Sequence, residues 1–249
     1  MGQTLRVGAA FPDPPFNGAK DDGGLDISLM HAVAELLGVS VEFVPYTGPD
    51  FNSIFGALNA GECDCVTAGT TVAPERQTPA AFCDPYLVSG QSLAVDMKRL
   101  PDVHGVDDLA GLTIGVQQGN TSQPIAERLV ADRRAKAVRI YDYGDIRTAI
   151  DDSTTGGCDA FMKLAPVLTE LVRAVDGVEV VQRGLSTERI ATAVRPSDID
   201  LLNRINTAQA EMEDDGRLSE IRRTWLGSPG LDQSGADPGV GVPFTPDGG

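Results

Sequence analysis

The sequence predicts an α/β protein of two lobes, each built on a mostly parallel sheet flanked by helices. Strand-like and helix-like segments alternate along the chain, which is the pattern of sheets covered by helices. The alternation starts again near residue 113, after a long loop-like stretch. The chain has 249 residues, more than the ~100–200 residues typical of one domain. Two lobes therefore fit the sequence better than one.

The first series of elements is predicted from β-branched strands and from amphipathic runs bounded by capping residues. Asp26 is the predicted N-terminal cap of the first helix, and Gly38 marks its C-terminal end. The series consists of strands at 5–9, 39–44 and 64–68 and helices at 27–37 and 51–60.

The second series predicts strands at 113–117, 138–141 and 159–163 and helices at 122–131 and 145–152. Two extended segments, 88–95 and 190–194, are suited to carry the chain from one lobe to the other and back. Helical patterns cover 198–225 with a break at Asp215-Gly216. We therefore expect lobe 1 at 5–92 plus 190–227, lobe 2 at 93–189, and a flexible Gly-, Pro- and Asp-rich tail at 228–249.

Charge and hydropathy exclude several classes of protein. The formal net charge of −16 argues against a nucleic-acid partner, because phosphate binding depends on clustered Lys and Arg. No apolar run approaches the ~18–20 residues that span a bilayer. The abrupt start at Met1-Gly2-Gln3 suggests a chain from which an export signal or lipid anchor has been removed. We expect a periplasmic or extracellular protein.

The four cysteines predict neither a metal site nor a cofactor. They are Cys63, Cys65, Cys83 and Cys158, without a CxxC motif and with only two histidines in the chain. Cys63 and Cys65 share one face of a strand, which strains a bond between them, whereas either could reach Cys83. One disulfide from Cys83 to Cys63 or Cys65 is expected, with four small buried thiols as the alternative.

Two segments together resemble the amino-acid-binding family of bacterial solute-binding proteins, which serves ABC importers for polar amino acids. They are Gly69-Thr70-Thr71-Val72-Ala73-Pro74-Glu75-Arg76 and Phe82-Cys83-Asp84-Pro85-Tyr86. Pro14-Pro15-Phe16, Asp108-Leu109-Ala110-Gly111 and 218–227 support the resemblance, which covers residues 5–227. It implies a periplasmic-binding-protein-like fold, with two α/β lobes joined by a two-strand hinge that closes on the ligand. It also implies a monomer whose partner is an ABC transporter permease.

The resemblance places a ligand site on several residues of the first lobe. Arg76 matches the position that clamps the ligand carboxylate, a task that suits the planar, permanently charged guanidinium. Ala68, Gly69 and Thr71 match positions that offer backbone groups and a hydroxyl, and Phe51 matches an aromatic ring over the ligand. The alternatives are a surface Arg paired with Glu75, a turn threonine and a core phenylalanine.

In the second lobe the same resemblance points to the junction between a strand and a helix. Gln117 ends the strand, and the main-chain N–H groups of Thr121 and Ser122 are placed to complete the carboxylate site. Ser122 is equally well explained as an N-cap.

The sequence departs from the family pattern where the ligand ammonium is normally bound. The family's Asp at this position is Leu164, two residues before Pro166, and a hydrocarbon side chain accepts no hydrogen bond. Asp13, where the family has an aromatic residue, could supply the carboxylate, or Lys163 could favour a second acid group. Three ligand classes stay open: an α-amino acid, a carboxylate without an α-amino group, and a cationic ligand such as an amine or basic amino acid.

The function that follows from the resemblance is capture of a small carboxylate by hinge closure and its delivery to an ABC importer. The alternative is the ligand-binding sensor domain of a signalling receptor. An enzyme on the same fold is less favoured, because the implied site contains neither a histidine nor a Ser-His pair.

Overall fold

The computed structural model describes residues 3–18 and 23–227, which separate into two compact units. Unit 1 lies within Met1–Thr47, Ser53–Val88 and Glu188–Gly249, and unit 2 consists of Gly48–Asn52 and Ser89–Thr187. The predicted tail at 228–249 lies outside the described residues. Among the described helices none is both long enough and apolar enough to cross a membrane.

Strands and helices alternate along most of the chain, as the sequence predicts. The strands are β1 (Thr4–Ala10), β2 (Ser40–Tyr46), β3 (Cys65–Val66), β4 (Ala81–Phe82), β5 (Leu87–Ser89), β6 (Gln91–Asp96), β7 (Thr113–Gln117), β8 (Ala137–Tyr141), β9 (Ala160–Leu164), β10 (Val178–Gln182), β11 (Glu188–Ile190) and β12 (Ala193–Val194). The helices are α1 (Leu25–Leu37), α2 (Ile54–Ala60), α3 (Ser122–Ala131), α4 (Ile146–Thr155), α5 (Ala165–Val172), α6 (Ile199–Asp214) and α7 (Arg217–Leu226).

Unit 1 is built on a five-stranded sheet in the order β2-β1-β3-β12-β4. β1 runs parallel to β2 and β3, whereas β12 is antiparallel to both β3 and β4. The α/β fold class is thus confirmed, with mixed sheets. β12 reaches the interior of this sheet from far along the sequence and fills the place between two earlier strands.

Unit 2 contains a second five-stranded sheet in the order β10-β6-β9-β7-β8, again with parallel and antiparallel neighbours. Successive side chains of a strand point to opposite faces of its sheet. Leu93 and Val95 of β6 accordingly enter one buried apolar cluster, and Ala94 enters a separate cluster with Phe161. The sheet therefore has a hydrophobic core on each face.

The segment Gly48–Asn52 packs with unit 2, although the predicted first lobe included it. The backbone N–H of Phe51 donates to the Gln118 carbonyl at 3.2 Å, and that of Tyr143 donates to the Pro49 carbonyl at 2.7 Å. These bonds hold the segment against the chain that follows β7 and the chain that follows β8. Phe51 consequently belongs to unit 2.

The start of α1 differs from the prediction. The helix begins at Leu25, one residue before the predicted cap Asp26, and Gly24 occupies the N-cap position. The Asp26 side chain lies wholly inside unit 1 and does not cap the helix. The predicted C-terminal end is confirmed, since Gly38 has the left-handed conformation with φ 66°.

The predicted disulfide is wrong, because all four cysteines are free and buried. Val194 of β12 pairs with Cys65 on one side and with Ala81 of β4 on the other. Cys65 and the β4 end that leads into Cys83 are thus two strand spacings apart, roughly 9–10 Å. A disulfide needs Cα atoms within about 7 Å. Cys63 precedes β3 on the same strand line and is separated from Cys83 by the same β12 strand.

We expect thiol titration of the denatured, unreduced protein to find four reactive thiols per chain, the number of cysteines. A reducing agent should leave the Tm of the native protein unchanged. Two reactive thiols together with a lower Tm after reduction would contradict the structure. Burial raises the pKa of Cys83 to about 12, so this thiol should react only after unfolding.

Candidate functional site

The residues that the sequence singles out are divided between the two units. Unit 1 contains Asp13, Ala68, Gly69, Thr71 and Arg76, and unit 2 contains Phe51, Gln117, Thr121, Ser122 and Leu164.

Arg76 is held inside unit 1 by the short 3-10 turn Pro74–Arg76. Its side chain is 3% exposed, whereas the neighbouring Glu75 lies at the surface. One guanidinium nitrogen donates to the Thr71 carbonyl at 3.2 Å, and the guanidinium carbon lies 6.0 Å from the centre of the Phe55 ring. A buried cation fixed on two sides is suited to bind an anion and unsuited to the alternative of a surface Arg.

Thr71 also contacts Glu188, a residue that the sequence did not single out. The Thr71 hydroxyl donates to Glu188 Oε2 at 2.6 Å. Glu188 is only 2% exposed, which is unusual for a carboxylate. The backbone fixes the pair, because β11 runs antiparallel to the chain at Thr71 and forms a bridge between Thr71 and Ile190.

Gly69 is positioned by the buried carboxylate of Asp26. The Gly69 N–H donates to Asp26 Oδ2 at 2.7 Å, and the Tyr86 hydroxyl donates to Oδ1 at 2.6 Å. Gly69 has φ 57°, and a Cβ there would lie 3.0 Å from the Phe16 ring. Glycine is therefore needed both for the left-handed backbone and for the close approach. Ala68 beside it is buried, at 1% exposure.

Burial raises the pKa of Asp26 from 3.8 to about 7. The hydrogen bonds from Tyr86, Gly69 and Asn17 act in the opposite direction, because they stabilise the carboxylate. The charge of Asp13 adds to the rise. Asp26 therefore changes charge near neutral pH while it holds the loop that contains Gly69.

Asp13 lies in a tight turn of unit 1. Its N–H donates to the Asn17 carbonyl at 2.7 Å, and its carbonyl accepts the N–H groups of Phe16 and Asn17 at 3.1 Å each. The side chain is 9% exposed. The turn fixes the backbone of Asp13 beside the loop that Asp26 holds.

Gln117 connects several polar groups of unit 2. Its amide nitrogen donates to the Tyr143 carbonyl, and its oxygen accepts from Lys163 Nζ at 2.6 Å and Asn120 Nδ2 at 3.3 Å. Lys163 is 4% exposed and lies 5.6 Å from the centre of the Tyr143 ring. Phe51 packs on the same ring with centroids 5.2 Å apart. A buried ammonium is thereby placed at the end of β7.

The N-terminus of α3 begins directly after this cluster. Thr121 is the N-cap residue and makes no side-chain cap bond, while its hydroxyl accepts from Gln91 Nε2 at 3.0 Å. Ser122 is fully buried, and its hydroxyl has no hydrogen-bond partner among the described residues. Ser122 is thus not the N-cap that the sequence offered as an alternative.

Leu164 ends β9 opposite Gln91 of β6, in the register that pairs these two strands. It is 7% exposed and directly precedes α5, which has Pro166 in its first turn. Its side chain brings no acceptor to the Gln91 and Thr121 pair. The departure from the family pattern at this position therefore changes the chemistry of unit 2.

Sequence reasoning missed Glu188, Asp26 as a loop-holding carboxylate, and Gln91. No local signal marks Glu188, because its burial beside Ile190 on one face of β11 depends on pairing with the distant chain at Thr71. The predicted strand began at Ile190 and so left Glu188 in the preceding loop. Gln91 lies in β6, where every residue is buried, and nothing in the local pattern distinguishes it.

The family model of bacterial extracellular solute-binding proteins, family 3, matches residues 5–228. The L-cystine-binding protein TcyJ of Escherichia coli (strain K12) is 29% identical over 229 residues, covering 90% of this chain and 83% of TcyJ.

Two solved structures are similar to the chain over nearly its full length. An ancestral arginine-binding protein bound to glutamine has a TM-score of 0.81 and 35% identity, covering 92% of this chain and 100% of that one. An ancestral arginine-binding protein bound to arginine has the same TM-score of 0.81 and 35% identity, with coverages of 90% and 98%. The chain belongs to family 3 of the bacterial extracellular solute-binding proteins.

Proposed function

We propose that this protein captures an α-amino acid outside the cytoplasm and, as a monomer, delivers it to the permease of an ABC importer. The similar proteins are named for or bound to cystine, arginine and glutamine. These three compounds share only the α-carboxylate and α-ammonium groups. The buried polar groups of the site therefore have to recognise the α-carboxylate and the α-ammonium.

The buried guanidinium of Arg76 is the observation that carries the proposal. Arg76 combines a fixed position inside unit 1 with a planar fork of donors that matches a carboxylate. The ligand carboxylate is the anion we assign to it.

In unit 2 we assign the buried hydroxyl of Ser122 and the N–H groups at the start of α3 to the same ligand class. A helix N-terminus favours negative charge, and α3 has ten residues, enough for a well-formed terminus. Lys163 adds a positive charge in the same unit. The proposed activity is binding, with no chemical conversion of the ligand.

The test is a calorimetric titration of the purified protein with the standard L-amino acids, L-cystine, simple amines and small carboxylates. We expect micromolar or tighter binding of at least one α-amino acid. A thermal shift should accompany it, since a ligand at a hundred times its Kd stabilises by about 2.7 kcal/mol. Silence across the panel would overturn the proposed function, and binding of amines alone would replace its ligand class.

Ser122→Ala is expected to weaken amino-acid binding about 5- to 30-fold while leaving the apo protein equally or slightly more stable. The reason is that the hydroxyl is buried with no hydrogen-bond partner in the described part of the chain, and such a group costs ~1–3 kcal/mol. Calorimetry and chemical denaturation measure the two effects.

Ser153→Ala is the matched control for this change. Ser153 is a second buried serine of unit 2, but its hydroxyl donates to the Ile150 carbonyl at 2.6 Å. The Ser153→Ala variant should lose about 1 kcal/mol of stability and should bind the amino acid as tightly as the wild type. Equal affinities of Ser122→Ala and the wild type would remove Ser122 from the site.

A further inference from the structure

The Asp26 carboxylate of unit 1 has hydrogen-bond donors on both of its oxygens. The Tyr86 hydroxyl donates to Oδ1 at 2.6 Å, the Gly69 N–H donates to Oδ2 at 2.7 Å, and Asn17 Nδ2 lies 3.4 Å from Oδ2. The side chains of Asp26, Tyr86 and Asn17 are fully buried. Such a set of donors suits an ionised carboxylate, which only accepts hydrogen bonds.

The protonated acid does not fit the same set of bonds. A proton on Oδ2 would point at the Gly69 N–H and at the Asn17 NH2 group, which are donors themselves. A proton on Oδ1 would require the Tyr86 hydroxyl to reverse and to find another acceptor inside the fold. At least one hydrogen bond must therefore change when Asp26 gains a proton.

Asn17 can supply an acceptor for that proton. Its Oδ1 is buried and has no hydrogen-bond partner among the residues that the structure describes. A half-turn of the amide exchanges Oδ1 with Nδ2 and brings the carbonyl oxygen to the position that faces Asp26 Oδ2. The neutral acid then donates to Asn17, and the Gly69 N–H loses its charged acceptor, which makes the stronger type of hydrogen bond.

The Gly69 bond connects this change to the chain that follows β3. On either side of Gly69 the backbone is bonded to other segments, since the Thr67 N–H donates to β1 at 3.0 Å and the Thr70 carbonyl accepts the Ala191 N–H at 3.0 Å. Between these two points the Asp26 carboxylate holds the Gly69 N–H. Loss of its charge therefore loosens the middle of this loop.

The charges around Asp26 make the exchange possible near neutral pH. Burial raises the pKa of Asp26 to about 7, and the charge of Asp13 adds to the rise. Burial also raises the pKa of Tyr86 well above 10, so Tyr86 stays neutral. On α7, Arg222 donates to the Tyr86 backbone carbonyl at 2.7 Å.

We propose that Asp26 and Asn17 form a proton-operated latch on the loop that contains Gly69: the carboxylate holds the loop, and the neutral acid releases it. Gly69 begins the segment 69–76, which leads to Arg76 of the proposed ligand site. The protein should therefore bind its amino acid more tightly above pH 7 than below it. This effect on affinity rests on the proposed function, whereas the latch itself needs no ligand.

The latch is tested on the ligand-free protein by following the Gly69 amide in proton–nitrogen NMR spectra between pH 5 and pH 9. On acidification we expect its proton resonance to move upfield with a midpoint near pH 7, because a charged acceptor becomes a neutral one. Asp26→Asn should abolish this transition. Asp200→Asn is the matched control, since the Asp200 side chain is 86% exposed, and it should retain the transition.

Tyr86→Phe provides a second variant in case Asp26→Asn fails to fold. It keeps the ring but removes the donor to Asp26 Oδ1, so the carboxylate is less stabilised and the midpoint should move to higher pH. A Gly69 resonance that does not titrate in the wild type overturns the inference. So does a midpoint that Tyr86→Phe leaves unchanged.

The effect on binding is measured by calorimetry with L-arginine and L-glutamine at pH 6 and pH 8. The affinity for the better-bound of the two should rise about three- to tenfold from pH 6 to pH 8. Tenfold is the limit, because the carboxylate form increases from roughly a tenth to roughly nine tenths of the molecules. Asp26→Asn should bind with one weaker affinity at both pH values.

The outcomes separate the latch from the proposed function. Equal wild-type affinities at pH 6 and pH 8 overturn the effect of the latch on binding. If neither amino acid binds, the full panel of amino acids decides the proposed function, and the Gly69 resonance alone decides the latch.

Discussion

Arg76→Ala should reduce the affinity for the amino-acid ligand by roughly 30- to 5,000-fold. This corresponds to the ~2–5 kcal/mol that is typically lost when one partner of a buried, hydrogen-bonded charge pair is removed. The guanidinium is fixed by the Thr71 carbonyl and lies against the Phe55 ring, so its donors have a defined direction that alanine does not supply. Calorimetry with the best-bound amino acid measures the loss.

Two further variants separate charge from geometry. Arg76→Lys keeps the positive charge but replaces the planar fork with a single point donor, so an intermediate affinity is expected. Arg204→Ala is the control for loss of a guanidinium, because Arg204 lies on α6 of unit 1 and its side chain is 38% exposed. Unchanged affinity of Arg76→Ala in a folded protein would remove the central assignment of the site.

The contribution of Asp26 to the stability of the protein should fall as the pH rises from about 4 to about 7. The pKa of Asp26 is about 7 in the folded protein and 3.8 without the influence of the fold, so the folded state binds the proton more tightly. The stabilisation is complete below pH 4 and is lost once the pH exceeds 7. The contribution of Asp26 to the free energy of unfolding should change by on the order of 4 kcal/mol across this pH range.

Chemical denaturation at several pH values, with wild type and Asp26→Asn compared, measures this contribution. The variant has no titrating group at this position, so the wild-type-minus-variant difference should decrease steadily with pH. Asp200→Asn is the control, since the Asp200 side chain is 86% exposed. A difference that is constant between pH 4 and pH 8 would show that the pKa of Asp26 is not raised.

The Asp26→Asn change should also weaken ligand binding, at low pH and at high pH alike. An amide can accept the Tyr86 hydroxyl, but its NH2 group then faces the Gly69 N–H, a donor like itself. The loop that contains Gly69 loses one of its fixed points.

Local patterns predicted those elements whose causes are local. The helix α3 was placed at its observed bounds, 122–131, because an amphipathic run and flanking polar residues define it. The break between α6 and α7 follows from Gly216, which has φ 86° and so interrupts a helix of ordinary residues. Arg76 was found through the motif that ends in it.

Features that depend on distant parts of the chain were not predictable in this way. The disulfide prediction was wrong because β12 lies between β3 and β4, and no local sequence pattern reveals strand order. Glu188 was missed because its burial depends on pairing between β11 and residues near Thr71. Asp26 resembled a cap, and only the position of Tyr86, sixty residues away, shows that its carboxylate is buried.

The place of β12 has a consequence for synthesis of the protein. Because this strand lies within the unit 1 sheet, unit 1 cannot be completed until residue 194 has left the ribosome. All of unit 2 precedes residue 188, so it can fold first, as domains often do during synthesis. The half-built sheet meanwhile exposes the edges of β3 and β4, which invite pairing with other chains. A chaperone bound to these edges would protect the nascent chain during this interval.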